Sequence, residues 1–130
     1  MYTATTRNIR VQVVPQYIAE QSAPEKDQYF WAYTIEITNS GEATVQLKSR
    51  YWHIMNEAGA VEEVRGAGVV GETPVLKPGE MYRYTSGCRL TTPSGIMRGS
   101  FQMLDEKSAS LDIVIPTFSL DLPNAKRRIN

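Results

Sequence analysis

The string Arg65-Gly66-Ala67-Gly68-Val69-Val70-Gly71-Glu72-Thr73 is where the sequence comes nearest to a recognisable ligand site. Gly66, Gly68 and Gly71 satisfy the G-x-G-x-x-G spacing with which dinucleotide-binding turns hand a pyrophosphate to the N-terminus of a helix. That helix is blocked here. Pro74 and Pro78-Gly79 follow closely, and a proline inside a helix removes a hydrogen bond and clashes with the preceding turn. The acidic ribose partner expected about 20 residues on is also missing, since that region reads Gly87-Cys88-Arg89. A P-loop reading fails at Glu72, a carboxylate where the phosphate-binding lysine belongs. A kinase-type glycine loop would tolerate the prolines, but the chain is too short for that fold and lacks His-Arg-Asp and Asp-Phe-Gly strings. What survives is a nest of backbone N–H groups beside Arg65 that could hold a phosphate or carboxylate. The plainer alternative is that the glycines only let a loop turn tightly across one end of the fold. The candidate ligand or partner residues are therefore Arg65, Gly66, Gly68, Gly71, Glu72 and Thr73.

Other chemistry is thinly supplied. His53 is the single histidine and Cys88 the single cysteine, so a nucleophile-base pair would have to be built from these two, and no nucleophile signature surrounds Ser86-Gly87-Cys88-Arg89. A lone histidine in a strand and a small buried thiol are the expected readings. Zinc needs closely spaced Cys and His pairs, which are missing, whereas magnesium could use scattered carboxylates such as Glu57, Glu62, Glu63 and Glu72. Glu62 and Glu63 read more simply as a solvated strand edge. No catalytic residue, metal ligand or cofactor is assigned. Most of the aromatic residues are expected in the core, with Phe30 and Tyr51 facing outward as parts of a protein-binding patch.

The elements that must position these residues are strands. From Tyr29, the residues Tyr29, Trp31, Tyr33, Ile35 and Ile37 alternate with Phe30, Ala32, Thr34, Glu36 and Thr38, a period of two that predicts a central strand. Asn8 to Tyr17 alternates likewise, with Pro15 closing its pairing, and the polar stretch Glu20 to Gln28 reads as a surface loop. Asn39-Ser40-Gly41 carries the chemistry of a hairpin turn into a return strand, Thr44 to Asn56. In that strand Val45 and Leu47 share one parity and Trp52 and Ile54 the other, which predicts a bulge near Lys48 to Arg50. Val61 to Arg65, Met81 to Leu90, Gly95 to Leu104 and Leu111 to Leu120 complete a set of about seven strands, and the glycine- and proline-rich segment between Gly66 and Gly79 reads as a long loop. The expected fold class is all-β, a two-sheet sandwich formed by one domain over residues 1–130, with 124–130 as a flexible tail.

Composition agrees with an ordinary globular chain: 130 residues, 42% hydrophobic and 22% charged. Fourteen basic residues balance fourteen acidic ones, so no net field favours nucleic acid or an anionic membrane. No apolar run approaches the roughly 20 residues needed to cross a bilayer. A lone cysteine and an N-terminus without an apolar export signal make the cytoplasm the expected compartment.

From Glu63-Val64-Arg65-Gly66 through Gly71, then at Pro74-Val75-Leu76 and Pro78-Gly79-Glu80, the sequence resembles the ApaG family. Tyr84-Thr85-Ser86-Gly87, Leu90, Thr92-Pro93, Gly95, Met97, Gly99 and Ile115-Pro116-Thr117-Phe118 follow that family's pattern in order, while Ser49-Arg50-Tyr51-Trp52 agrees less closely. Tyr51 stands where many members have histidine, and Glu72-Thr73 precedes Pro74 where glutamine is common. The resemblance implies an immunoglobulin-like or fibronectin-type-III-like sandwich, and a link to cobalt and magnesium resistance or efflux. Related domains in eukaryotic F-box and polymerase-interacting proteins imply protein interaction. The expected function is a non-catalytic module that binds an unidentified protein partner, and the alternative is a phosphate or nucleotide binder using the glycine-rich loop 65–73.

Overall fold

The computed structural model describes residues 1–122, and the tail expected at 124–130 lies outside them. The described residues form nine strands: β1 (Tyr2–Thr6), β2 (Ile9–Tyr17), β3 (Tyr29–Asn39), β4 (Val45–Asn56), β5 (Val61–Ala67), β6 (Val75–Leu76), β7 (Met81–Leu90), β8 (Ser94–Asp105) and β9 (Ser110–Asp121). They make two antiparallel sheets, ordered β1-β2-β3-β7 and β5-β4-β8-β9, with β6 added beside β4. The all-β sandwich read from the sequence is the observed architecture.

Alternation explains the core. Tyr29, Trp31, Tyr33, Ile35 and Ile37 of β3 are all buried, and between them the strand presents partly exposed residues. From β4 come Val45, Leu47, Trp52 and Ile54, also buried. The parity change between these pairs is absorbed where the β4–β8 register shifts between Leu47 and Ser49, leaving Lys48 as the extra residue. A second shift falls in the β8–β9 pair, where Met97 faces Phe118 but Gly99 faces Ile115. Inward positions on β9 accordingly pass from Ile113 and Ile115 to Phe118 and Leu120. Pro116 occupies this irregularity, where its missing N–H interrupts the ladder least. Trp52 meets Phe118 edge to face at 5.9 Å and Tyr33 at 5.3 Å, so both sheets contribute to one aromatic centre.

Several expectations need correction. The Asn39-Ser40-Gly41 segment is not a hairpin, because β3 and β4 lie in different sheets and neither Asn39 nor Gly41 has a positive φ. Asn39 is instead a fully buried knot in an arch between sheets. Its Nδ2 donates to the carbonyls of Ala43 at 2.8 Å and Leu76 at 2.9 Å, and its Oδ1 accepts from the N–H of Gly41 at 3.0 Å. Those bonds offset the cost of burying an amide. Strand β1 escaped the sequence reading because its turn, Arg7-Asn8, lacks glycine, yet both residues adopt the positive φ of a two-residue hairpin, 49° and 66°. Pro15 does not end β2, which pairs with β3 as far as Tyr17. It lies beyond the last β1 partner, Val13, where one edge of β2 has no ladder to break. The stretch read as a loop from Glu20 to Gln28 overlaps two single-turn 3₁₀ segments, Ala19–Gln21 and Pro24–Lys26, and the Ser22 hydroxyl between them donates to the Ile18 carbonyl and accepts from the Phe30 N–H.

Along one side the sheets are joined. The N–H of Val114 on β9 donates to the Thr6 hydroxyl at 3.2 Å, and the N–H of Ser119 to the Tyr2 hydroxyl at 3.4 Å. The opposite side, bounded by β5 and β7, remains open and has a cleft between the sheets.

Candidate functional site

Of the six candidate residues, Arg65 and Gly66 lie in β5, and the loop proper begins after Ala67. Val69 and Glu72 then exchange both backbone hydrogen bonds, each 2.8 Å, around the two-residue turn Val70-Gly71. Gly71 has φ 81° and Val70 φ 42°, the paired positive angles of a tight hairpin turn. Gly68, at φ 61°, precedes this turn, and a Cβ there would collide with the carbonyl oxygen of Glu72. The glycine spacing thus builds a hairpin tip. The N–H groups of Gly68, Val69 and Glu72 are bonded to the carbonyls of Lys48, Glu72 and Val69, so these three do not point to an external anion. The Thr73 carbonyl accepts from Gln46 Nε2 at 3.1 Å, which fastens the descending arm to β4.

Arg65 belongs to a different surface. Its guanidinium lies 4.5 Å from the ring centroid of Tyr51, its register partner on β4, and the Tyr51 hydroxyl donates to Glu63 Oε2 at 2.6 Å. The hydrogen bond to Glu63 holds the Tyr51 phenol above its ordinary pKa, so it stays protonated at neutral pH. The next row places His53 between Glu63 of β5 and Arg98 of β8, and the row after that aligns Val61, Met55 and Ile96. Val61 and Ile96 are 51% and 40% exposed. The outward face of β5-β4-β8 therefore combines an exposed apolar row with an arginine-on-tyrosine stack, residue types that anchor protein interfaces. Because β5 ends its sheet, one edge of its backbone has no strand partner among the described residues.

Tyr51 is outward as expected. Phe30 also faces outward and, like Tyr51, is partly buried, with its ring tip against Gly87 and Arg89 6.0 Å from its ring. Cys88 is buried in the cleft between the sheets, and burial, with a smaller effect of the Glu62 charge, pushes its thiol up to about 11. Among the described residues no three His, Cys, Asp or Glu side chains are grouped to hold a metal ion. No helix there is long and apolar enough to cross a membrane.

Sequence reasoning passed over Arg50. This residue crosses from β4 beneath β5, and its Nη1 donates to the carbonyls of Ala67 at 3.0 Å and Gly68 at 2.9 Å. Its register partner is Gly66, and only the pairing of β4 with β5 brings the two together. A signal existed in the arginine and the glycine themselves, but it needed the register to be read.

Comparison with known proteins gives a consistent result. Residues 19–105 match the family described as the ApaG domain. The chain is 55% identical to Protein ApaG of Mesorhizobium japonicum and 54% identical to that of Azorhizobium caulinodans, in each case over 130 residues and 100% of both chains. The crystal structure of an ApaA protein from Bordetella pertussis superposes with a TM-score of 0.86 at 44% identity, covering 95% of this chain and 98% of that one. The C-terminal domain of wzt shares the fold alone, with a TM-score of 0.55, 11% identity and coverage of 92% and 76%.

Proposed function

This chain belongs to the ApaG domain family, and from that premise we propose that it acts as a non-catalytic cytoplasmic module, a single domain over residues 1–130, that binds a protein partner. The contact region runs along the edge of β5 that lacks a strand partner among the described residues and onto the hairpin that follows it, from Arg65 to Thr73. The observation that carries this reading is the Arg65–Tyr51–Glu63 cluster, which spans β4 and β5 beside the edge of β5 that has no strand partner among the described residues. An arginine already stacked and a phenol already bonded lose little conformational freedom on binding, which favours their use as anchors. An extended segment can add to a strand edge through main-chain hydrogen bonds while its side chains read the neighbouring row. Exposed Glu62 and Glu63 discourage indiscriminate pairing along the same edge. Any part in cobalt or magnesium efflux is then exerted through the partner.

The test places a photo-crosslinking residue at Ala67 in the full chain and compares the captured species with those of Arg65→Glu and Glu63→Pro backgrounds, the second of which blocks the open edge because the Glu63 N–H points away from β4. The reading expects one discrete adduct that both changes abolish. An adduct that survives both unchanged would move the contact elsewhere. Phosphate or nucleotide binding at the glycine hairpin is the rival outcome. Titration of the amide spectrum with pyrophosphate or magnesium-ATP would then give saturable shifts confined to residues 65–73, lost in Arg65→Glu and weakened by salt.

A further inference from the structure

The direction of each backbone group along β5 follows from the two ends of its ladder. The N–H of Gly68 donates to the Lys48 carbonyl at 2.8 Å and the N–H of Asn56 to the Ala60 carbonyl at 2.9 Å, in the same antiparallel register as the β4–β5 pairs between them. Bonded and non-bonded pairs alternate in such a ladder. Glu62, Val64 and Gly66 therefore turn their N–H and C=O groups toward β4, and Val61, Glu63, Arg65 and Ala67 turn theirs away, along the edge that has no strand partner among the described residues. Side chains alternate with the same period. Those of Val61, Glu63, Arg65 and Ala67 are exposed on the outward face, while Val64 packs against the core and Gly66 against Arg50.

An antiparallel strand added to this edge must set its own outward-turned backbone groups against those of Val61, Glu63, Arg65 and Ala67. For a second copy of β5 related by a two-fold axis, registers centred on Glu62, Glu63 or Arg65 place like charges directly opposite one another, which is destabilising. The register centred on Val64 avoids this, and it is also the one that overlaps the whole of Val61–Ala67. In it Glu63 faces Arg65 of the second copy and Arg65 faces Glu63 of the second copy. Val61 then meets Ala67, Val64 meets Val64, and Glu62 meets Gly66, which has no side chain to oppose it. The Tyr51 hydroxyl and ring already hold Glu63 and Arg65 on the outward face, ready for that pairing. We propose that β5 pairs with β5 of a second copy of this chain in this register, so that two β5-β4-β8-β9 sheets become one; the proposal rests on the reading of this edge as a protein contact and names the partner. Glu62 and Glu63 then act against the other registers. A strand edge of seven residues is small beside the ~1,600 Å² of a standard interface, so the dimer is weak and concentration-dependent.

The test is sedimentation velocity of the full chain from about 10 μM to about 1 mM, where the parent should pass from monomer toward dimer. Glu63→Arg and Arg65→Glu each set like charges opposite one another on both sides of the axis, and each should weaken self-association about tenfold or more. An equal mixture of the two variants should associate again, because one chain then offers arginine at both positions and the other glutamate at both. The chain carrying both changes should also recover. Reciprocal rescue of this kind separates a broken contact from a damaged fold. Amide exchange at Glu63 and Arg65 should slow as the parent is concentrated. A parent that stays monomeric, variants that associate as it does, or a mixture without rescue would each overturn the dimer, and slow exchange at those amides independent of concentration would show the edge covered within one chain. A monomer whose Ala67 crosslink still captures one discrete other protein removes the second copy as partner and leaves the contact region standing, whereas a monomer with no adduct overturns both.

Discussion

Arg50 lays its guanidinium flat against Gly66, its partner across the β4–β5 ladder: Nη1, Cζ and Nη2 stand 2.8, 2.9 and 2.9 Å from the point a Cβ would occupy. The first glycine of the apparent nucleotide motif thus makes room for an arginine that ties the strand end to the carbonyls of Ala67 and Gly68. Gly66→Ala should force that guanidinium away and destabilise the fold by about 1–3 kcal/mol, the usual cost of overpacking. In an Arg50→Ala background the same change should cost under about 0.5 kcal/mol. Urea midpoints for the four proteins of this cycle measure the coupling directly. Equal costs in both backgrounds would show that the arginine is not what excludes a side chain at position 66.

Val70 is a β-branched residue held at φ 42° on the hairpin tip, and its side chain is 55% exposed. A left-handed backbone is unfavourable for such a residue by about 1–2 kcal/mol, whereas asparagine tolerates it. Val70→Asn gives up little packing, so it should raise stability by about 1 kcal/mol. Thermal unfolding checks the sign. If the exposed valine serves the partner, crosslinking at Ala67 should weaken in the same variant even as its melting temperature rises.

Asp105 closes the β8–β9 turn by accepting from the N–H groups of Lys107 at 2.8 Å and Ala109 at 2.9 Å. Those bonds, the one from Ala109 first, hold its carboxyl below the ordinary value of 3.8. A depressed folded pKa means the unfolded chain takes up the proton first. The contribution is therefore present above pH 3.8 and is lost as pH falls through the lower folded value. The stability difference between the parent and Asp105→Asn should shrink through that acid window. A difference that stays constant from neutral pH to about pH 2 would separate the turn from this titration.

Cys88 has the opposite sign. With its thiol raised from 9.0 to about 11, the unfolded chain ionises first, and the stability it preserves is lost as pH rises through that interval. At neutral pH native protein should react with a thiol reagent much more slowly than protein unfolded in urea, and Cys88→Ser should flatten the alkaline loss. Fast native labelling at neutral pH would show that the cleft admits the reagent to an ionised thiol.

Much of this was legible before any coordinates. Five large residues at every second position from Tyr29 to Ile37 can bury one face only as a strand, and the parity change between Leu47 and Trp52 required the bulge at Lys48. The sequence was also enough to reject the glycine string as a helix-bound phosphate site, because Pro74 forbids the helix locally. These properties depend on neighbours in the chain, and short-range sterics and periodicity determine them.

The sheet that β4 joins, the open side of the sandwich and the role of Arg50 depend on residues far apart in sequence. Asn39-Ser40-Gly41 carries the chemistry of either a hairpin or an arch, and the arch depends on the carbonyl of Leu76, 37 residues away. Arg50 and Gly66 meet only once the β4–β5 register is set, and Tyr33 meets Trp52 only once the two sheets are stacked. By itself the sequence determined an all-β chain with the core faces of its long strands, but not the Arg7-Asn8 turn or the course of the chain after Asn39. Tertiary structure decided which turns became crossovers, which glycines served a neighbour and which strand edge was left without a partner among the described residues, because each of those outcomes depends on contacts between segments whose separation no local pattern encodes.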